Sequence, residues 1–140
     1  MRSVLVLAAL STLAIGATAQ AETWVGYSAV SPNNVQWSYD TDYSYKDAQT
    51  KRVVVMTAVG KVGATPRMGP SAPGAADGVG QIWAMDCKAG NTLLVGSYSP
   101  SKPLAIAETW RTATPKKISS DDDKALIAAV CKGADALPVK

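Results

Sequence analysis

The chain has 140 residues, 2 Cys, 0 His and a formal net charge of +3 at pH 7. The length is one domain's worth. The missing imidazole excludes Ser-His and Cys-His nucleophile pairs and the usual zinc ligand sets. The small, dispersed charge excludes a nucleic-acid or membrane-surface grip, since Lys51-Arg52 and Lys116-Lys117 are the only adjacent basic pairs.

Met1-Arg2-Ser3 is a short positive start, and Val4 to Ile15 is apolar except for Ser11 and Thr12. Ala17-Thr18-Ala19-Gln20-Ala21 then offers small residues at the spacing a signal peptidase reads. Residues 1–21 are therefore expected to be a signal peptide, cleaved after Ala21 or, second, after Ala19. The apolar run is shorter than the roughly 20 residues a spanning helix needs. No Cys lies near the cleavage site to take a lipid. The expectation is a periplasmic or secreted domain, residues 22–140, with no membrane span after cleavage, no lipid anchor and a formal charge of about +2 once Arg2 is lost.

Trp24 to Ser31 reads as a first strand, ended by the turn cluster Pro32-Asn33-Asn34. Val35 to Asp40 alternates apolar and polar, which puts Val35, Trp37 and Tyr39 on one face. Tyr43 to Lys46 is a short extended piece, and Asp47 to Thr50 a polar connection. Lys51 to Val62 is a strand apolar on both faces, hence central and covered on both sides. Gly63 to Gly80 is Gly-, Ala- and Pro-rich and is expected to be a long flexible loop within the domain. Gln81 to Cys87 and Thr92 to Tyr98 form a hairpin through Lys88-Ala89-Gly90-Asn91, with Gly supplying the special backbone angle. Leu104 to Trp110 is a last strand, with Leu104, Ile106 and Trp110 on one face. A helix starts at Ser119 or Ser120, a good cap, with Asp121-Asp122-Asp123 at the positive end of its dipole. Leu126, Ile127, Val130 and Cys131 share one side, and Gly133 is a natural stop.

Two thiols in a small exported domain pair. Cys87 ends a strand and Cys131 faces inward from the helix end, so their bond ties helix to sheet. The loop it closes spans about 44 residues, worth roughly 4 kcal/mol by chain entropy.

Chemistry-bearing patterns are few. Asp40-Thr41-Asp42-Tyr43-Ser44 starts like a calcium loop, but Tyr45 stands where Gly is needed and Lys51 where a bidentate Glu is needed. Those acids read as turn caps, and the three acids at 121–123 as a capped helix start. Gly74 to Gly80 lacks the Gly-Lys-Ser/Thr ending of a phosphate loop. No metal and no cofactor is expected. Trp37 and Tyr39 read chiefly as core. Tyr43 and Tyr45, near a hairpin end, are divided between core packing and a binding surface.

The segment Trp37-Ser38-Tyr39-Asp40-Thr41-Asp42-Tyr43-Ser44, the strand ending Met85-Asp86-Cys87, Trp110, and a helix closing on Ala129-Val130-Cys131 together resemble the surface-adhesin protein E-like family of small exported bacterial proteins. The likeness runs roughly from Glu22 to Gly133. It implies a small antiparallel sheet with a disulfide-locked C-terminal helix and a non-catalytic envelope role. The founding adhesin type binds host matrix proteins and is held by a lipid, whereas this chain has no Cys to carry one. Only Cys87 and Cys131 carry over, as structural residues.

The expected fold is α+β: a single antiparallel sheet of about six strands, one C-terminal helix packed on it and one disulfide. The expected function is non-catalytic, adhesin-like binding of protein partners, of the envelope or a host matrix, with Tyr43 and Tyr45 as a candidate surface. The alternative is a periplasmic accessory protein that takes a small ligand or partner through its aromatic segment. An exposed edge strand beside a patch formed by Tyr43, Tyr45 and neighbours would favour the first and a deep pocket lined by Trp and Tyr the second, while clustered buried carboxylates around a cleft would favour an enzyme.

Overall fold

Val53-Val54-Val55-Met56 is apolar at every position, and in the computed structural model of the protein all four side chains are buried. β-Branched residues pointing both ways from one strand require cover on both faces. The strand that carries them, β3 (Val53–Lys61), accordingly lies inside the sheet. The structure describes residues 23–63, 79–99 and 101–140. The expected signal peptide lies outside these residues, as do positions 64–78 of the expected loop.

β1 (Trp24–Gly26), β2 (Val35–Lys46), β3, β4 (Val79–Asp86), β5 (Asn91–Ser99) and β6 (Lys102–Ile106) follow one another across the sheet in chain order, each antiparallel to the next. A two-residue strand, β7 (Lys116–Lys117), pairs with the start of β5 on the same side as β6. The one α-helix among the described residues, α1 (Asp121–Cys131), is C-terminal. This is the α+β architecture expected, with β7 added. Two residues are too few to show a period, so the sequence carries no strand signal there.

Several boundaries differ from the sequence expectation, and β4 starts at Val79, so the last two positions of the expected 63–80 loop are strand. β1 stops at Gly26, because the Ser28 hydroxyl takes the Trp37 N–H (2.9 Å) and ends the ladder. β2 is continuous from Val35 to Lys46 instead of two pieces. β6 ends at Ile106, and Trp110 belongs to a 3-10 turn (Trp110–Thr112) rather than to the strand. The β4–β5 turn agrees with expectation: Gly90 has φ +64°, and Asp86 Oδ1 accepts the N–H groups of Lys88 and Ala89, both at 2.9 Å.

One face of the sheet is covered by α1. Ser120 caps it, its hydroxyl accepting the Asp123 N–H at 3.0 Å, and the three acids fill the first turn. Leu126 and Val130, one turn apart, bury against Val53, Val55 and Met85, with Tyr27, Tyr39 and Trp83 at the margin. Burying two such side chains contributes roughly 3–6 kcal/mol before entropy is counted. Cys131, the last helical residue, is bonded to Cys87, just past β4, with Cα atoms 5.7 Å apart.

The other face is covered by no α-helix among the described residues. Val54, Met56, Ile82, Ala84, Leu93 and Val95 are covered there by Trp110, with Trp24, Tyr43, Tyr45 and Leu104 around them. The chain leaves β5's edge after β6, seats Trp110 on this face, and returns to the same edge as β7. The register breaks between β2 and β3, β4 and β5, and β5 and β6.

Replacing Cys87 and Cys131 together by Ser should lower the unfolding free energy by about 4 kcal/mol, read from urea unfolding. A loss under about 1 kcal/mol would show that α1 is docked by packing alone.

Candidate functional site

β2 carries the aromatic segment, and its alternation reverses part-way. Tyr39 stands opposite Thr57, Asp40 opposite Met56, and Tyr45 opposite Val54. Residues 41–44 therefore face Val55 alone, an odd excess that switches the sheet side of every later side chain. Asp40 builds this bulge. Its buried Oδ1 accepts the N–H of Asp42 at 2.9 Å and of Thr23 at 3.3 Å, and its carbonyl accepts the Ser44 hydroxyl at 2.8 Å. Of the two acids in the calcium-like stretch, Asp40 thus works as a backbone cap, while Asp42 accepts the Thr23 hydroxyl at 2.7 Å.

The reversal decides where the aromatic residues go. Tyr39 turns toward α1, with Tyr27 at 6.4 Å between ring centroids. Tyr43 and Tyr45 turn to the helix-free face, 6.1 Å apart, and are half-buried against its core. Burial, and then the neighbouring Tyr45, pushes the Tyr43 hydroxyl up to about 12. Tyr45 is raised too, by burial first and by the Asp47 charge second. Both rings therefore act as cover for the sheet. Trp37 is half-buried further up the strand.

Asp47, at the end of β2, is 1% exposed. Its Oδ1 accepts Nε and Nη2 of Arg111 at 2.9 and 2.8 Å, and its Oδ2 accepts the N–H and the hydroxyl of Thr50, both at 2.8 Å. Burial by itself would raise this carboxyl. The Arg111 and Thr50 hydrogen bonds and the guanidinium charge outweigh it and hold it at about 2. Arg111 in turn lies 4.7 Å over the Trp110 ring, and the Lys140 ammonium 5.2 Å from the Tyr45 ring. Arg111 was not legible as Asp47's partner, because 64 positions separate them.

Three concavities among the described residues bear on function. A cleft of about 180 Å³ lies between β2 and α1, lined by Tyr39, Thr41, Ser44, Val130, Gly133 and Leu137 among others. A cavity of about 420 Å³ opens beside the disulfide, where Lys46, Lys51, Lys88, Asp86 and Asp135 converge. A shallow notch of about 280 Å³ runs along β5 and β6 past Leu94, Gly96, Ala105, Ile106 and Ala107. Gly96 keeps the notch open, since a Cβ there would strike the Ala105 carbonyl and the Ile106 side chain. Leu94 and Ile106 are 48% and 46% exposed, and β6's outer edge is paired with no strand among the described residues.

Among the described residues no three His, Cys, Asp or Glu side chains are grouped to hold a metal ion, and no helix is long and apolar enough to cross a membrane.

The Asp47 carboxyl lies below its ordinary 3.8 in the folded chain, so its contribution is complete above about pH 4 and is lost as pH falls toward about 2. Arg111→Leu leaves burial unopposed by the guanidinium. A carboxyl-carbon NMR titration should then find Asp47 shifted upward and the acid limb of stability moved to higher pH. An unmoved Asp47 would show that Thr50 alone holds it down.

In comparisons with known proteins, no family model, no curated protein and no solved structure matches the chain.

Proposed function

We propose that the chain is an exported, non-catalytic binding protein of the cell envelope that takes an extended segment of a protein partner along β6. One observation carries this: a free edge strand runs beside two half-exposed apolar side chains, Leu94 and Ile106. An edge strand offers unpaired main-chain donors and acceptors, and flanking apolar notches select alternate side chains of the incoming strand. Lys102 and Pro103 guard the start of β6, which leaves Leu104 to Ile106 as the accessible stretch.

Two further observations support the proposal. The resemblance to surface-adhesin protein E-like chains, at Trp37 to Ser44, Met85-Asp86-Cys87 and Ala129-Val130-Cys131, points to protein partners of the envelope or a host matrix. The run from Val4 to Ala21 supports export, and a disulfide with no spanning helix among the described residues is compatible with it. The alternative, a small ligand held by the aromatic segment, has less support. The cleft beside Tyr39 measures about 180 Å³, against the roughly 300–1,000 Å³ of common ligand sites.

A library of displayed unstructured peptides tests the edge. Selected peptides should protect the outward β6 amides from hydrogen exchange. Leu94→Asp with Ile106→Asp should weaken them at least tenfold while changing stability by about 0.5 kcal/mol or less. Peptides that bind the double variant equally well, or a library that yields none, would sink the proposal. Export is checked by fractionating producing cells and weighing the chain, which should begin at Glu22 or Gln20. An uncleaved cytoplasmic chain would overturn it.

A further inference from the structure

We infer that the cavity beside the disulfide binds a sugar-sized molecule carrying a carboxylate or a phosphate. Three separate parts of the chain wall it. Lys46, Thr50 and Lys51 come from the end of β2 and the following turn, Asp86, Cys87 and Lys88 from the β4–β5 turn, and Ala134 and Asp135 from just past α1. Its volume of about 420 Å³ lies within the roughly 300–1,000 Å³ that ligand sites occupy. The site is separate from β6, so it stands or falls independently of the edge proposed above.

The charges favour an anion. Three ammonium groups face two carboxylates, and both carboxylates are already engaged. Asp86 Oδ1 accepts two turn N–H groups at 2.9 Å. Those hydrogen bonds, that of Ala89 foremost, hold the carboxyl below its ordinary value, so it stays ionised and committed to the turn. Asp135 is fully exposed and meets Lys46 at 3.6 Å, a loose pair that competes weakly. The cations retain capacity, since an ammonium has three donors. Lys51 gives one, to the Ala48 carbonyl at 2.7 Å.

Two of the lysines, Lys46 and Lys51, stand on fixed backbone. Lys46 keeps its side chain 26% exposed. Its N–H donates to Pro138 O at 2.8 Å, and its carbonyl accepts the Lys140 N–H at 3.0 Å. Lys51 sits at φ +61°, a conformation non-glycine residues seldom take, and its N–H donates to Asp47 O at 2.9 Å. A strained backbone position on the lining of a cavity fits a functional position.

The disulfide supplies the third wall and a second readout. Cys87 is exposed on the cavity lining, and its bond to Cys131 holds the chain that continues into Ala134 and Asp135. An occupant would therefore shield the sulfur from an external thiolate.

The oxidised protein, labelled with ¹⁵N, is titrated at low salt with inorganic phosphate, glucuronate and, as a neutral control, glucose. Saturable shifts are expected at Lys51, Lys88 and Asp135 with one or both anions and not with glucose. Which anion binds more tightly assigns phosphate or carboxylate. Lys51→Asn, chosen because Asn tolerates the left-handed turn, combined with Lys88→Gln, should weaken binding about tenfold or more. Saturating anion should also slow reduction of Cys87–Cys131 by dithiothreitol. The inference fails if neither anion saturates, if the folded double variant binds as well as the parent, if shifts centre elsewhere, or if a bound anion leaves the reduction rate unchanged.

Discussion

The structure answers to a requirement set by β3: a strand apolar on both faces must be covered twice. A helix provides one cover in a familiar way, by an apolar stripe on the sheet. Among the described residues no second α-helix covers the other face, and the chain covers it with an excursion from its own edge. Trp110 supplies the apolar area, and the Arg111 fork to Asp47 fixes where that area lies. Each cover also carries one strong tie: the disulfide for α1, and for the Trp110 turn the pair between buried Asp47 and the exposed Arg111. A buried carboxylate without its cation would be costly, so the ion pair holds the turn in one position rather than adding much net stability.

The two covers leave distinct surfaces uncovered. The excursion departs from the β5 edge between β6 and β7, so β6 hangs at the margin with apolar neighbours half in solvent. Meanwhile β2 runs past the pairing length of β1 and ends in the tight turn from Asp47 to Lys51. That turn, the β4–β5 hairpin and the chain past α1 meet at one end of the sheet and cannot pack flush, which leaves the lysine-lined cavity. The edge and the cavity are both by-products of covering β3, and they have different chemistries: main-chain pairing with apolar contact on the one, fixed positive charge on the other.

The aromatic residues show how position overrides composition. Trp, Tyr and Arg are favoured at interfaces, and an aromatic-rich segment invites that expectation. Here the rings of Tyr43 and Tyr45 largely serve the core, and their hydroxyls are held protonated by burial. Among the apolar residues that do face solvent, Leu94 and Ile106 are aliphatic and sit in strands whose patterns look ordinary.

Sequence alone determined what depends on short-range chemistry. The β-branched run of β3, the Gly90 turn, the Ser120 cap and the pairing of the only two thiols each follow from a residue and its near neighbours, and the α+β order follows from them. Tertiary structure decided the rest. The reversal of β2 turns on an odd count against β3, which no period within β2 reveals. The pairing of Asp47 with Arg111, the seating of Trp110 off the strand, and the meeting of Lys46, Lys51 and Lys88 join residues far apart in the chain. Such contacts leave no periodic trace, because one side chain reaching another across a sheet imposes nothing on the residues beside either.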